Sequence, residues 1–203
     1  MLQGKAFLIT GAGGALSRAL IPAFHQAGAR LFLSDPRPER MAERAQAVGA
    51  KTFVADLTRL EEALALARFV EEEAPLYGVV HTVGGFAAGR FLDTDPGLYD
   101  WMLDLNLRTT FNLLKAVLPY MAKRKEGFFA AFAAGPAGGR LRDRAAHERG
   151  GGHAPEPVHA TDDVRLAAAV VAGRHDAAEA ILSAEILHVA HDAELALRAV
   201  AAL

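Results

Sequence analysis

An apolar run of strand length, Ala6-Phe7-Leu8-Ile9-Thr10, leads directly into Gly11-Ala12-Gly13-Gly14 and then into a stretch with helical spacing. A run with no polar face fits a strand covered on both sides. Three glycines in four residues allow a sharp turn. Residues 15–27 then carry Leu16, Leu20, Ile21 and Phe24 on one helical stripe. Buried strand, glycine turn and helix N-terminus together bring free backbone N–H groups and the positive end of a helix dipole to one corner. Such a corner is an anion site suited to a pyrophosphate.

The same alternation continues through residue 133. Residues 30–34 form a second apolar run ending at Asp35. Residues 38–48 read as a helix closed by Gly49, and residues 52–55 as a third strand ending at Asp56. Thr58, with Glu61 three residues later, predicts a capping box for a helix running to about residue 73. Residues 78–82 are the fourth strand, followed by Gly84-Gly85. A long helix spans about residues 98–123, and residues 128–132 are the fifth strand. Gly28 stands where the first helix needs a C-cap. Near-continuous apolar strands alternating with helices predict an α/β fold: a doubly wound, Rossmann-like parallel sheet with both faces covered. At 203 residues the chain is read as one domain, residues 1–203.

Composition narrows the function classes. Apolar content of 52% with 23% charged residues is ordinary for a globular chain, and a net charge of −2 gives no basic footprint for nucleic acid. No apolar run approaches membrane-spanning length, and the first strand begins too early to leave room for a signal peptide. Cysteine is absent, which fits a cytoplasmic location.

After Gly135 the character changes. Beyond Phe132 there is no Lys, Phe, Tyr, Trp, Asn or Gln, while six of the eight histidines lie between His147 and His191. Residues 135–163 read as a long loop, residues 164–171 as a sixth strand or short buried helix, and residues 175–190 and 192–202 as alanine-rich helices. The domain thus divides into residues 1–135, with clear alternation, and an atypical part, residues 136–203. His147, His153 and His159 are spaced six apart, which matches no metal-ligand pattern, so no metal site is expected.

Over roughly residues 5–135 the order and spacing resemble the short-chain dehydrogenase/reductase family. Thr10-Gly11-Ala12-Gly13-Gly14-Ala15-Leu16-Ser17 stands where that family has T-G-x-x-x-G-x-G, with Ala15 and Ser17 in place of its second and third glycines. His81-Thr82-Val83-Gly84 takes the place of N-N-A-G. Residues 99–107, Tyr-Asp-Trp-Met-Leu-Asp-Leu-Asn-Leu, are similar to W-D-x-x-x-x-V-N-L. The resemblance implies NAD(P)-dependent oxidation of an alcohol or reduction of a carbonyl, a small-molecule substrate, and a homo-oligomer. It implies a cofactor held by Gly11, Gly13, Gly14, Ala15, Leu16, Asp56, Leu57 and Gly84, with Asp56 at the adenine. Asn106 takes the place of the family's catalytic asparagine, which bends its helix and holds a water in a proton relay. Asp35 at the second strand's tip matches the acid that accepts from a ribose 2′-hydroxyl and repels a 2′-phosphate, pointing to NAD. Arg37 and Arg40 carry the competing reading, NADP.

The chemistry of the family needs a serine after the fifth strand and then Y-x-x-x-K. Here Ala133-Ala134 follow that strand, the tyrosines are Tyr77, Tyr99 and Tyr120, and the last lysine is Lys125. A second reading is therefore an inactive dinucleotide-binding homologue, a sensor or partner subunit. The Ala, Arg, Gly and His bias after Phe132 also fits a change of reading frame in GC-rich coding DNA.

Overall fold

The computed structural model describes residues 2–87 and 89–132. The expectations for residues 133–203, including the loop at 135–163, the sixth strand, the alanine-rich helices and the six histidines, lie outside the described residues. The elements are β1 (Ala6–Thr10), α1 (Ala15–Gln26), β2 (Arg30–Ser34), α2 (Pro38–Val48), β3 (Lys51–Phe53), α3 (Leu60–Glu73), β4 (Leu76–His81), α4 (Pro96–Leu103), α5 (Thr109–Arg124) and β5 (Phe128–Ala131). A π-helical turn, Asp104–Arg108, joins α4 to α5.

The strands form one parallel sheet in the order β3-β2-β1-β4-β5. Winding goes outward from β1 through β2 to β3, then returns to β4 on the other side of β1. The order reverses between β1 and β4, so the loops leaving their C-terminal ends part and open a crevice there. This is the Rossmann-like, doubly wound sheet that the alternation predicts.

Side-chain alternation along each strand feeds two cores. Phe7, Ile9, Leu31 and Leu33 pack under α1 and α2 with Leu20, Ile21, Phe24, Met41 and Ala45. Leu8, Phe32, Val79 and Phe129 pack under α3 and α5 with Leu66, Val70, Leu113 and Val117. Phe7 needs more room than a strand neighbour usually leaves. Its register partner on β4 is Gly78, where any Cβ would overlap the Phe7 ring. That space lets Phe7 meet Phe24 at 5.0 Å and Tyr77 at 5.5 Å between ring centroids.

Helix ends follow sequence chemistry in most places. Pro38 starts α2, and Gly49 closes it at φ 63°. Asp95 caps α4, accepting from the Gly97 N–H. The expected Thr58–Glu61 capping box does not form, and α3 begins one residue later with Arg59 at its N-cap. Asp56 captures the Thr58 hydroxyl at 2.7 Å, and Glu61 pairs with Arg59. The third strand also ends earlier than predicted, at Phe53, because β3 is an edge strand paired only to β2, and Val54 turns outward to solvent. Among the described residues no helix is long and apolar enough to cross a membrane.

Candidate functional site

Gly11 leaves β1 with φ +69°, a conformation that favours glycine, and a Cβ there would lie 2.8 Å from Thr82 Oγ1. Gly13 sits in a tighter corner, where a Cβ would lie 2.6 Å from Arg40 Cβ and 2.9 Å from Asp35 Oδ2. Gly14 is the N-cap of α1, and no side chain caps that helix, so its first-turn amides are left to a ligand or solvent. Ala15 is exposed, so its methyl group does not fill the turn, and Leu16 is half-buried beside it.

Asp35 lies at the tip of β2 with only 4% of its surface exposed. Its Oδ2 accepts the Gly13 N–H at 3.0 Å and its Oδ1 accepts the Arg37 N–H at 3.0 Å. The Arg37 guanidinium stands 3.6 Å from the same Oδ1. A carboxylate held this way is a fixed acceptor beside the glycine turn. Next to it, Gly11, Ser34, Asp35, Asp56, Leu57 and Val83 line a cleft at the C-terminal ends of β1 to β4, with Leu105 and Thr109 on the far wall. Asp56 holds its own loop: its Oδ1 accepts both the N–H and the hydroxyl of Thr58. Leu57 is buried beneath that loop, and Gly84 is exposed at the crevice mouth. Ser34 Oγ is buried and has no hydrogen-bond partner among the described residues.

Ser17, His81 and Thr82 lie in one polar network under the glycine turn. The buried Ser17 hydroxyl donates to Gly11 O at 3.0 Å and lies 3.0 Å from Thr82 Oγ1, which itself donates to Thr10 O at 2.8 Å. His81 is fully buried between Thr10 Oγ1, 2.7 Å from Nδ1, and Thr109 Oγ1, 3.2 Å from Nε2. Thr109 spends its hydroxyl hydrogen on Leu105 O at 2.7 Å. It therefore accepts from His81 Nε2–H, and His81 Nδ1 accepts from Thr10. Burial pushes the His81 pKa down to about 4, so the ring is neutral at physiological pH. His81 is thus a hydrogen-bonded core histidine, not an acid facing the cleft.

Asn106 lies in the π-helical turn, and its side chain is fully engaged. Oδ1 accepts the Gly85 N–H at 3.1 Å, while Nδ2 donates to Gly85 O and Met102 O, both at 2.8 Å. The amide thus clasps the loop after β4 to the helix through both polar groups of one glycine. A Cβ on Gly85 would lie 2.6 Å from Leu105 Cδ2 and 3.0 Å from Trp101, which packs over this clasp. The helix is interrupted around Asn106 by the π-helical turn Asp104–Arg108.

One residue that the sequence reading missed belongs to the corner. Arg44, on α2, donates through Nη1 to Ala12 O at 2.6 Å and to Gly14 O at 2.7 Å.

Residues 5–131 match the model of the short chain dehydrogenase family. The chain belongs to that family. Among curated relatives, oxidoreductase UcpA of Salmonella typhimurium is 34% identical over 133 residues, covering 62% of this chain and 50% of its own. Dehydrogenase/reductase SDR family member 6 of Danio rerio is 30% identical over 127 residues with the same coverage. The chain spans about half the length of these relatives. Among solved structures, levodione reductase superposes with a TM-score of 0.63 at 24% identity, over 66% of this chain and 55% of that one, a likeness of fold.

Proposed function

We propose that this short chain dehydrogenase is an NAD-dependent oxidoreductase acting on a small-molecule alcohol or carbonyl, built as a single domain over residues 1–203 and working in the cytoplasm. The observation that carries the reading is Asp35, a nearly buried carboxylate whose oxygen is tied to the Gly13 amide at the glycine turn. An acid fixed at the second strand's tip accepts hydrogen bonds from a ribose diol and repels a 2′-phosphate, which favours NAD over NADP. Arg37 points its guanidinium at Asp35, so part of its charge is spent there. Gly11, Gly13 and Gly14 supply the close backbone approach, and the first-turn amides of Ala15 and Leu16 receive the diphosphate. Asp56, Leu57 and Gly84 border the adenosine and the crevice mouth. The bound cofactor supplies the hydride chemistry.

Asn106 acts in this reading by holding Gly85 and the loop after β4 in register with α5, where the resemblance puts a proton relay. A homo-oligomer is part of the same proposal, supported by Tyr99, Leu103, Leu107 and Phe111, exposed apolar residues that recur every fourth position along α4 and α5. Nucleic acid, membrane and metal have no part in it.

A second reading, cofactor binding without turnover, is favoured by one observation: no Y-x-x-x-K occurs in the sequence, and Ala133-Ala134 follow β5. Titration with NADH and NADPH, with assays on a panel of ketones and alcohols, separates the two. Turnover supports the oxidoreductase, and tight binding without turnover supports the inert homologue. Asp35→Ala should weaken NADH by about tenfold, the value of a charge-assisted hydrogen bond, and NADPH by less. An equal loss for both cofactors would overturn the NAD assignment.

A further inference from the structure

We propose that Arg44 is a positioning residue for a bound diphosphate: from α2 it fixes the two peptide groups that shape the anion corner. The inference rests on the dinucleotide reading above and adds a residue to it. Arg44 Nη1 donates to Ala12 O at 2.6 Å and to Gly14 O at 2.7 Å, so one guanidinium nitrogen grips both sides of the turn. Both peptides are trans, so each N–H points opposite to the carbonyl of the same unit. Pulling Ala12 O toward α2 turns the Gly13 N–H the other way, where Asp35 Oδ2 accepts it at 3.0 Å. Pulling Gly14 O the same way turns the Ala15 N–H, the first donor of α1, away from α2 and toward the open end of the helix. Arg44 and Asp35 thus hold the turn between a donor on one side and an acceptor on the other.

The anchor is rigid. α2 is pinned to the sheet by Met41 and Ala45, both buried in the core beneath α1 and α2. Arg44 is half-buried, and among the described residues no carboxylate pairs with it. Its positive charge therefore remains available to the corner, where an anion gains from it. With glycine at positions 11, 13 and 14, the buried Ala12 methyl group is the turn's one side chain, and it offers no hydrogen bond to fix the peptide planes. An external clamp supplies that order before the ligand arrives.

The test uses the full chain and compares wild type with Arg44→Met and Arg44→Lys. ADP and NAD+ binding is measured by calorimetry, adenosine binding by ligand-observed NMR, and folding by far-UV circular dichroism. Arg44→Met keeps the apolar stem and removes the clamp. ADP and NAD+ should weaken together by about tenfold, while adenosine, which has no diphosphate, stays within about twofold. Arg44→Lys, which keeps the charge and a donor, should fall between the two. Unchanged ADP affinity in Arg44→Met, equal losses for ADP and adenosine, or no recovery in Arg44→Lys would each overturn the proposal while leaving the dinucleotide reading standing. Failure of wild type to bind either ADP or NAD+ overturns both.

Discussion

Neutral His81 ties the sheet to α5, and its protonation should cost stability in a defined pH window. The ring bridges Thr10 and Thr109 with no solvent contact, and burial holds its pKa near 4 against an ordinary value of 6.5. The folded state therefore binds the proton less tightly than the unfolded chain. The sign follows: the unfolded chain carries more protons between pH 6.5 and 4, so stability is fully present above 6.5 and falls as pH drops toward 4. With that shift, the loss attributable to His81 is about 2 kcal/mol at pH 5 and about 3 kcal/mol at pH 4 or below. Acid also acts on groups other than His81, so the assay is a difference. Urea unfolding of wild type and His81→Asn, which does not titrate, is followed from pH 8 to pH 4. Wild type should lose about 2 kcal/mol more than the variant between pH 7.5 and pH 5. Parallel curves would show that the ring titrates alike in both states, which would refute the reasoning from burial.

Two further substitutions test the geometry around the cleft. Asn106→Ala removes two bonds to Gly85 and one to Met102 O and leaves part-buried backbone groups to solvent; it should cost about 1–2 kcal/mol in thermal or urea unfolding. The emission of Trp101, the single tryptophan, which packs over Gly85, should shift in the same variant, and unchanged stability and emission would count against the clasp. Ser34→Ala deletes a buried hydroxyl that has no hydrogen-bond partner among the described residues and should raise stability by about 1 kcal/mol, read as a higher melting temperature; a loss would mean that the hydroxyl is satisfied in solution.

Much of the fold is legible in the sequence because its strands are buried on both faces. Phe7-Leu8-Ile9 and Leu31-Phe32-Leu33 have no polar side to confuse a strand with a surface helix, and both lie where the alternation puts them. Legibility fails where a competing hydrogen-bond partner, near or far in sequence, decides local structure. Thr58 looks like a cap, but its hydroxyl is drawn back to Asp56 instead. The helix expected over about residues 98–123 splits at Asp104–Arg108, because Asn106 reaches 21 residues back to Gly85. Thr109 and Thr110 bond to carbonyls four residues earlier in the same region, which opens the turn further.

The candidate site divides the same way. Gly11, Asp35 and Asp56 are visible because a glycine turn and acids at strand tips have a fixed place in this topology. Ser17 and Thr82, by contrast, read as departures from a glycine and an asparagine pattern, yet in the fold their hydroxyls sit 3.0 Å apart and donate to Gly11 O and Thr10 O of the turn. Each substitution alone reads as a loss, and in the fold each hydroxyl gives its hydrogen to a backbone carbonyl of the turn. Arg44 gives no signal at all in the sequence. It stands in Ala-Glu-Arg-Ala on a helix rich in charges, which reads as solvated surface, while its two partners lie 30 and 32 residues earlier.

The central claim is that the turn after Thr10 receives a diphosphate while Asp35 receives the adjoining ribose. Amide proton–nitrogen spectra of the isotopically labelled full chain during titration with NAD+ test it most directly. The account predicts the largest saturable shifts at Gly11, Gly13, Gly14, Ala15 and Leu16, with Asp35 and Leu57 moving at the same ligand concentrations. Silence at those amides, or shifts gathered instead at the opposite end of the sheet around Lys5 and Tyr77, would contradict it.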